Sequence, residues 1–102
     1  MSPEPVQTKA AGTSALTRDV TVLNRYGIHA RPAALLVKTA SRFACEILLE
    51  KTGVKVNAKS IMGLLTLEGS RGAVLKVTAT GLDAGEALDA LEDLVKQKFF
   101  ED

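Results

Sequence analysis

Apolar and polar residues alternate in four stretches of the chain, which is the pattern of a strand buried on one face. In residues 16–24 the apolar positions include Leu16, Val20 and Val22, and Arg18 interrupts them. The sequence Lys-Thr-Gly at positions 51–53 offers a turn between two further stretches, which predicts a hairpin. The four predicted strands are residues 16–24, 45–50, 54–57 and 73–80.

Three other stretches carry apolar residues at helical spacing. Residues 30–43 predict an amphipathic helix. Ser60 stands at an expected N-cap before a short apolar run, which predicts a brief helix. Asp83 and Glu86 have the spacing of a capping box and open a final amphipathic helix, behind which the Phe-Phe pair at positions 99–100 is expected to close the core edge.

The element order is therefore strand, helix, strand, strand, helix, strand, helix. This order is best buried as an α/β (α+β) open-faced sandwich, in which three helices cover one face of a four-stranded antiparallel sheet. The other sheet face would meet solvent. Residues 1–15 are rich in small and polar residues, so we expect a flexible tail ahead of a single domain at 16–102.

Composition narrows the classes of partner. Thirteen basic and twelve acidic residues give a net charge of +1 without a basic stripe, so nucleic acid is not expected as a partner. The single Cys45 reads as a small core residue, and no metal-ligand cluster is expected. Lys55, Lys59 and Arg71 look like solvated surface charges. Without an apolar span or a secretory signal, we expect a cytoplasmic protein with no membrane insertion.

The only histidine, His29, lies at the start of the first predicted helix. Either His29 or Arg31 could be the N-cap, and Pro32 is tolerated in a first turn. Free backbone N–H groups and the Arg31 guanidinium could hold a phosphoryl group on the imidazole, which is a nitrogen nucleophile near neutral pH. The alternative is that His29 only caps the helix and Arg31 is an ordinary solvated arginine.

The short helix raises a second possibility. The helix dipole would favour a phosphate on Ser60, although a serine N-cap needs no such role. A helix this short cannot bury every apolar side chain that it carries, so at least one is expected to face outward as a docking contact. These apolar residues are Ile61, Met62, Leu64 and Leu65.

Two motifs together resemble one known family. Gly-Ile-His-Ala-Arg-Pro-Ala at positions 27–33 is similar to the active-site signature of HPr, the histidine-containing phosphocarrier of the bacterial phosphoenolpyruvate-dependent phosphotransferase system. Lys-Ser-Ile-Met-Gly-Leu at positions 59–64 resembles the regulatory-serine segment of that family. The similarity extends from about Leu16 to the C-terminus.

The resemblance implies a role for each matching residue. It implies phosphorylation of His29 on Nδ1, stabilisation of the phosphoryl group by Arg31, a rigid first helical turn at Pro32, and regulatory phosphorylation at Ser60. The partners it implies are enzyme I as donor, A-type enzyme II components as acceptors, and an HPr kinase/phosphorylase and transcriptional regulators. Docking would use Ala30, Ala34, Ile61, Met62 and Leu65.

On this reading the chain is a monomeric carrier for sugar uptake that needs no cofactor and is not itself an enzyme. The Leu-Glu-Gly-Ser sequence at 67–70 and the Phe-Phe-Glu-Asp ending also resemble the nitrogen-related branch of the system, which keeps open a regulatory module without a direct transport role. A free-standing enzyme with His29 as general base is a third alternative. The pattern places no second catalytic residue near His29 to support it.

Overall fold

A computed structural model describes residues 15–101 of the chain. The element order is the predicted one, and strand β1 begins at Ala15, the last residue assigned to the tail. The rest of the predicted tail, residues 1–14, lies outside the described residues. The strands are β1 Ala15–Thr21, β2 Glu46–Lys51, β3 Val54–Asn57 and β4 Val74–Thr80, and the helices are α1 Ala30–Ala40, α2 Ile61–Thr66 and α3 Ala84–Lys96, followed by a 3₁₀ turn at Lys98–Phe100.

The four strands form one antiparallel sheet in the order β1-β4-β2-β3. Strand β4 therefore lies between β1 and β2 and pairs with both, with Leu75 opposite Val20 and Ala79 opposite Ile47. Alternate residues of the inner strands are buried under the helices, as the strand pattern predicts. The predicted open-faced sandwich is confirmed.

Two elements end earlier than predicted. Strand β1 stops at Thr21, although Val22 still exchanges backbone hydrogen bonds with the loop before β4, to Ala73 and from Gly72. Helix α1 stops at Ala40 because the N–H groups of Arg42 and Phe43 bond three residues back, which tightens the chain into turns.

Arg18, the charged residue that interrupts the β1 pattern, is held by the last helix. Its guanidinium bonds Asp89 at 2.6 Å and Glu92 at 2.9 Å, and these hydrogen bonds raise its pKa. Because β1 is an edge strand, an arginine on its helix-covered side can reach the rim of α3. The interruption of the pattern is therefore an ion-pair contact between sheet and helix.

The predicted capping box at the start of α3 is wrong. Asp83 is the N-cap, but its side chain makes no capping hydrogen bond. Its carboxylate instead accepts hydrogen bonds from the backbone N–H groups of Ala44, at 2.8 Å, and Cys45, at 3.0 Å. These bonds lower the pKa of Asp83. The Asp83 side chain therefore joins two loops that are distant in sequence and does not cap the helix in the way that the local pattern predicts.

The 3₁₀ turn near the end of the described chain has an uncommon conformation. Lys98, Phe99 and Phe100 all have positive φ, at 54°, 56° and 59°. Phe99 is fully buried, whereas Phe100 is 67% exposed, so only one member of the Phe-Phe pair closes the core. The turn directs the next residue, Glu101, towards the start of α1.

Candidate phosphoryl site at the start of helix α1

His29 is the N-cap of α1, and its imidazole is not used to cap the helix. The backbone of His29 is extended, its carbonyl oxygen accepts a hydrogen bond from the N–H of Ala33 at 2.9 Å, and its side chain makes no capping bond. Pro32 lies in the first turn and has no N–H to donate. The N–H groups of Ala30 and Arg31 donate to no group within residues 15–101, so two backbone donors remain beside the imidazole.

The two nitrogens of the His29 ring have different surroundings. Nε2 lies 3.1 Å from Oε1 of Glu101, and the side chain is 43% exposed. The Tyr26 ring stands edge-on, with 6.3 Å between the ring centroids. An ionised carboxylate only accepts hydrogen bonds, so this contact requires a proton on Nε2. In the neutral imidazole Nδ1 then carries the lone pair.

Glu101 is itself held in place by Asn24. The buried Asn24 donates from Nδ2 to Oε1 of Glu101 at 2.9 Å and to the carbonyl oxygen of Gly27 at 2.7 Å. The bond from Asn24, then the bond from His29, and also the nearby charge of Arg31 lower the pKa of Glu101. Glu101 is therefore an ionised acceptor that orients the imidazole, and it lies within the field of Arg31.

The loop before His29 requires glycine at position 27. Gly27 has a φ of +68°, and a Cβ at this position would collide with the carbonyl oxygen of Gly69. That same carbonyl accepts a hydrogen bond from the N–H of Ile28 at 2.8 Å. The close approach of the two loops fixes the backbone from which His29 projects.

Sequence reasoning assigned no role to Asn24 or Glu101. Glu101 is 72 positions from His29, and its neighbourhood in sequence has no pattern that points to the helix start. Asn24 lies within the loop that leads to His29, and a polar residue after an apolar strand is ordinary. The one available signal is that a carboxylate directly follows the Phe-Phe pair. Burial of these phenylalanines in the core could bring that carboxylate back to the folded domain.

Ser60 and the apolar residues of α2 lie on a neighbouring element, since α1 and α2 pack against each other. Ser60 is the N-cap of α2, and its Oγ accepts a hydrogen bond from the N–H of Gly63 at 3.1 Å. Leu64 is buried, so the expectation that the helix leaves apolar side chains outside holds for the other three. The exposed apolar residues of the two helices, which we call the apolar patch, are Ala30, Ala34, Ile61, Met62 and Leu65.

Lys59 is not the solvated surface charge that the sequence predicts. Its ammonium donates to the carbonyl oxygens of Phe43, at 2.7 Å, and Cys45, at 2.9 Å. It therefore ties the start of α2 to the loop between α1 and β2. Cys45 is buried, as expected, and burial raises the pKa of its thiol.

The described chain has neither a cluster of metal ligands nor a membrane-spanning helix. Within residues 15–101, no three His, Cys, Asp or Glu side chains come together as metal ligands. None of the helices in the same range combines the length and apolar character that crossing a bilayer requires.

Comparison with known proteins identifies the family. The sequence profile described as PTS-HPr, the phosphotransferase-system HPr component phosphorylation site, matches residues 16–97. The chain belongs to the HPr family. The phosphocarrier protein HPr of Treponema pallidum (strain Nichols) is 46% identical over 87 residues, which cover 85% of this chain and 99% of that protein. The resemblance inferred from the two motifs is confirmed.

Solved HPr structures share the fold. The crystal structure of HPr-C-His from Thermoanaerobacter tengcongensis has a TM-score of 0.82 and 49% identity, and the match covers 85% of this chain and 98% of that one. Crh, the catabolite repression protein of Bacillus subtilis, has a TM-score of 0.66 and 40% identity over 95% of each chain, and its structure is described as a dimer with a swapped domain. As a member of the HPr family, the chain has a phosphocarrier role in the phosphotransferase system.

Proposed function

We propose that this chain carries a phosphoryl group on Nδ1 of His29, received from phosphorylated enzyme I and passed to A-type enzyme II components for sugar uptake. The observation that carries the proposal is the bond between Nε2 of His29 and Glu101, which leaves the Nδ1 lone pair available. Membership of the HPr family supports the phosphocarrier role. The role of each residue and the identity of the partners belong to the proposal.

In the forward step the Nδ1 lone pair attacks phosphorus while the bond from phosphorus to the donor breaks. The N–H groups of Ala30 and Arg31 and the Arg31 guanidinium would hydrogen-bond the phosphoryl oxygens as their charge redistributes. Pro32 keeps the first turn rigid. The new P–N bond leaves positive charge on a ring that still has its Nε2 proton, and Glu101 stabilises that charge. A protonated ring is a good leaving group, so onward transfer is easy.

Partners would dock on the apolar patch beside the site. A small apolar surface with a polar rim suits a brief encounter better than a permanent interface. The docked partner would exclude water from the P–N bond and supply the rest of the reaction centre. We propose that the chain works as a cytoplasmic monomer, and that without such a partner it transfers no phosphoryl group.

Ser60 is proposed as a second phosphorylation site, for an ATP-dependent HPr kinase/phosphorylase. A phosphate on its Oγ would introduce about two negative charges next to the exposed Ile61 and Met62. The ammonium of Lys59 is engaged by two carbonyl oxygens and is not placed to neutralise it. Phosphorylation would therefore weaken docking to an apolar partner surface and favour partners that offer cations.

A crossed pair of variants tests both assignments. Phosphoenolpyruvate and enzyme I should label the wild type and Ser60→Ala with an acid-labile, base-stable phosphoryl group, and should not label His29→Ala. ATP and the kinase should label the wild type and His29→Ala with an acid-stable group, and should not label Ser60→Ala. Labelling of His29→Ala from phosphoenolpyruvate would contradict the carrier assignment.

A regulatory module without a direct transport role is the second candidate. The similarity of the chain to Crh, a catabolite repression protein by name, favours this alternative. Deletion of the gene distinguishes the two. Reduced uptake of a sugar supports the carrier, whereas unchanged uptake with altered gene expression supports the regulatory module. Sedimentation of the purified chain checks the proposed monomer against a dimer.

A further inference from the structure

Asn24 is the one polar side chain that is buried within residues 15–101, and the proposed function assigns it no part. It lies in the loop between β1 and α1, shortly before His29. Its exposed fraction is 0%. Burial of an amide is unfavourable unless its hydrogen bonds are made, so the partners of Asn24 indicate what the residue does.

Only half of the Asn24 amide has partners. Nδ2 donates to the carbonyl oxygen of Gly27 at 2.7 Å and to Oε1 of Glu101 at 2.9 Å. Oδ1 accepts no hydrogen bond from any group in residues 15–101. Turning the amide over would place Oδ1 against two acceptors, so the partners fix its orientation. A buried acceptor without a partner destabilises a fold, so stability alone does not account for an asparagine here.

The carboxylate oxygen that Asn24 holds is the one that His29 contacts. Oε1 of Glu101 lies 2.9 Å from Nδ2 of Asn24 and 3.1 Å from Nε2 of His29. The Glu101 carboxylate has no third hydrogen bond within residues 15–101. Asn24 therefore supplies the bond that fixes Oε1 in front of the ring, and without it the carboxylate could rotate away.

Asn24 also joins this carboxylate to the backbone that presents His29. The carbonyl oxygen of Gly27 accepts hydrogen bonds from Nδ2 of Asn24 and from the N–H of His29, the latter at 3.0 Å. The N–H of Gly27 in turn donates to the carbonyl oxygen of Asn24 at 3.3 Å. One amide thus connects the backbone of His29 with the acceptor of its ring. Supporting bonds of this kind hold a reacting atom in a productive position.

We propose that Asn24 is a positioning residue for phosphoryl transfer, which acts through Glu101 to keep the proton of the neutral His29 ring on Nε2. The inference rests on the proposed role of His29. Loss of the amide would free the carboxylate and populate the ring form that has its proton on Nδ1. That form lacks the lone pair that is proposed to attack phosphorus. The apolar patch would be unchanged, so the effect should fall on kcat and not on KM.

The kinetics of phosphoryl transfer from phosphorylated enzyme I to the full chain test this role. Asn24→Leu nearly keeps the size of the side chain and removes the donor. It should lower kcat about tenfold with an unchanged KM, which corresponds to the loss of about one hydrogen bond to a charged group. Leu23→Ala, at the neighbouring exposed position, is the matched control and should keep the wild-type kcat. A wild-type kcat in Asn24→Leu would overturn the proposal.

A second background separates positioning from general support of the loop. Glu101→Ala removes the group through which Asn24 is proposed to act, so the addition of Asn24→Leu should lower kcat no further. A further tenfold loss in the double variant would show that Asn24 acts independently of Glu101, which contradicts the proposal. Asn24→Ala removes the same donor and replaces Asn24→Leu if the latter gives an NMR spectrum without the dispersion of a folded chain.

The ¹⁵N shifts of the His29 ring report which nitrogen has the proton, and they require no phosphoryl transfer. His29 is the only histidine, so its ring signals need no further assignment. The wild type should show the Nε2–H form, and Asn24→Leu should show a larger share of the Nδ1–H form. Identical ring shifts in the two proteins would overturn the proposal. A changed ring in a chain that takes no label from phosphoenolpyruvate and enzyme I would support the orienting bond and contradict only the carrier role.

Discussion

At His29, Nε2 is hydrogen-bonded to a carboxylate, whereas Nδ1 has no such bond within residues 15–101, and in the proposed mechanism this asymmetry determines which nitrogen reacts. Glu101 holds the proton on Nε2, and Asn24 holds Glu101. The sequence pattern predicted the imidazole at a helix start, because helix starts have local signals. It could not predict the carboxylate, because a hydrogen bond across 72 positions has no periodicity.

The lowered pKa of Glu101 makes its contribution to stability depend on pH. The pKa of this carboxyl is lower in the folded chain than in the unfolded chain, so the unfolded chain takes up the proton first as the pH falls. The stabilisation is therefore complete above the ordinary glutamate range and is lost as the pH falls through the lowered pKa. We expect Glu101→Gln to be less stable than the wild type at neutral pH, and the difference to shrink across that acidic window.

Urea unfolding curves at a series of pH values measure this difference. Glu46→Gln, which changes an exposed carboxylate on the outer sheet face, is the control and should follow the wild type more closely. A difference between wild type and Glu101→Gln that is constant with pH would show that the bonds of Glu101 do not stabilise the folded chain.

Among the elements, the Lys98–Phe100 turn most clearly combines a conformational cost with a function. Three consecutive non-glycine residues with positive φ are unfavourable, by about 1 kcal/mol or more each. Burial of the whole Phe99 side chain offsets this cost. The turn places Glu101 beside His29. The packing of Phe99 therefore supports the hydrogen bond that Glu101 makes two residues later.

The two neighbouring phenylalanines give a matched test of this turn. Phe99→Ala should lower the free energy of unfolding by about 3–5 kcal/mol, because it removes a fully buried aromatic ring. Phe100→Ala should change it by less than about 0.5 kcal/mol, since that ring is mostly exposed. Denaturant unfolding measures both, and similar effects would contradict the anchoring role of Phe99.

How well each element could be predicted depends on whether its cause is local. Periodicity located all four strands and three helices, and Ser60 was correctly expected to be an N-cap because its partner Gly63 lies only three residues away. The local pattern does not reveal the partners of Asp83 and Lys59, because each bonds backbone groups of the loop between α1 and β2, which is distant in sequence. Where a polar side chain has several possible hydrogen-bond partners, the tertiary structure determines which one it bonds.

Across the whole molecule, the uncovered face of the sheet has a regular arrangement of charge. The strand register places Asp19, Lys76, Glu50 and Lys55 side by side, one from each strand. The signs alternate along this row, so each residue has an opposite charge on the adjacent strand. Such cross-strand pairs stabilise a sheet whose outer face has no apolar cover.

Reversal of the charge on the central strand β4 tests this row. Lys76→Glu would place three acidic residues next to each other, and we expect it to lower the free energy of unfolding by about 1 kcal/mol. The loss should shrink in high salt, which screens exposed charges. The double variant Asp19→Lys with Lys76→Glu should recover part of the loss in the same urea measurements. Absence of any recovery would argue against pairing between β1 and β4.

The folded chain brings Glu101 to the place where chemistry is proposed to occur. Glu101 contacts Asn24 and His29, which lie 77 and 72 positions earlier in the sequence. During synthesis on the ribosome, His29 emerges long before the carboxylate that orients it has been translated. A nascent or prematurely terminated chain would carry the histidine without its oriented imidazole, so only a chain translated through Glu101 would be competent to take the phosphoryl group.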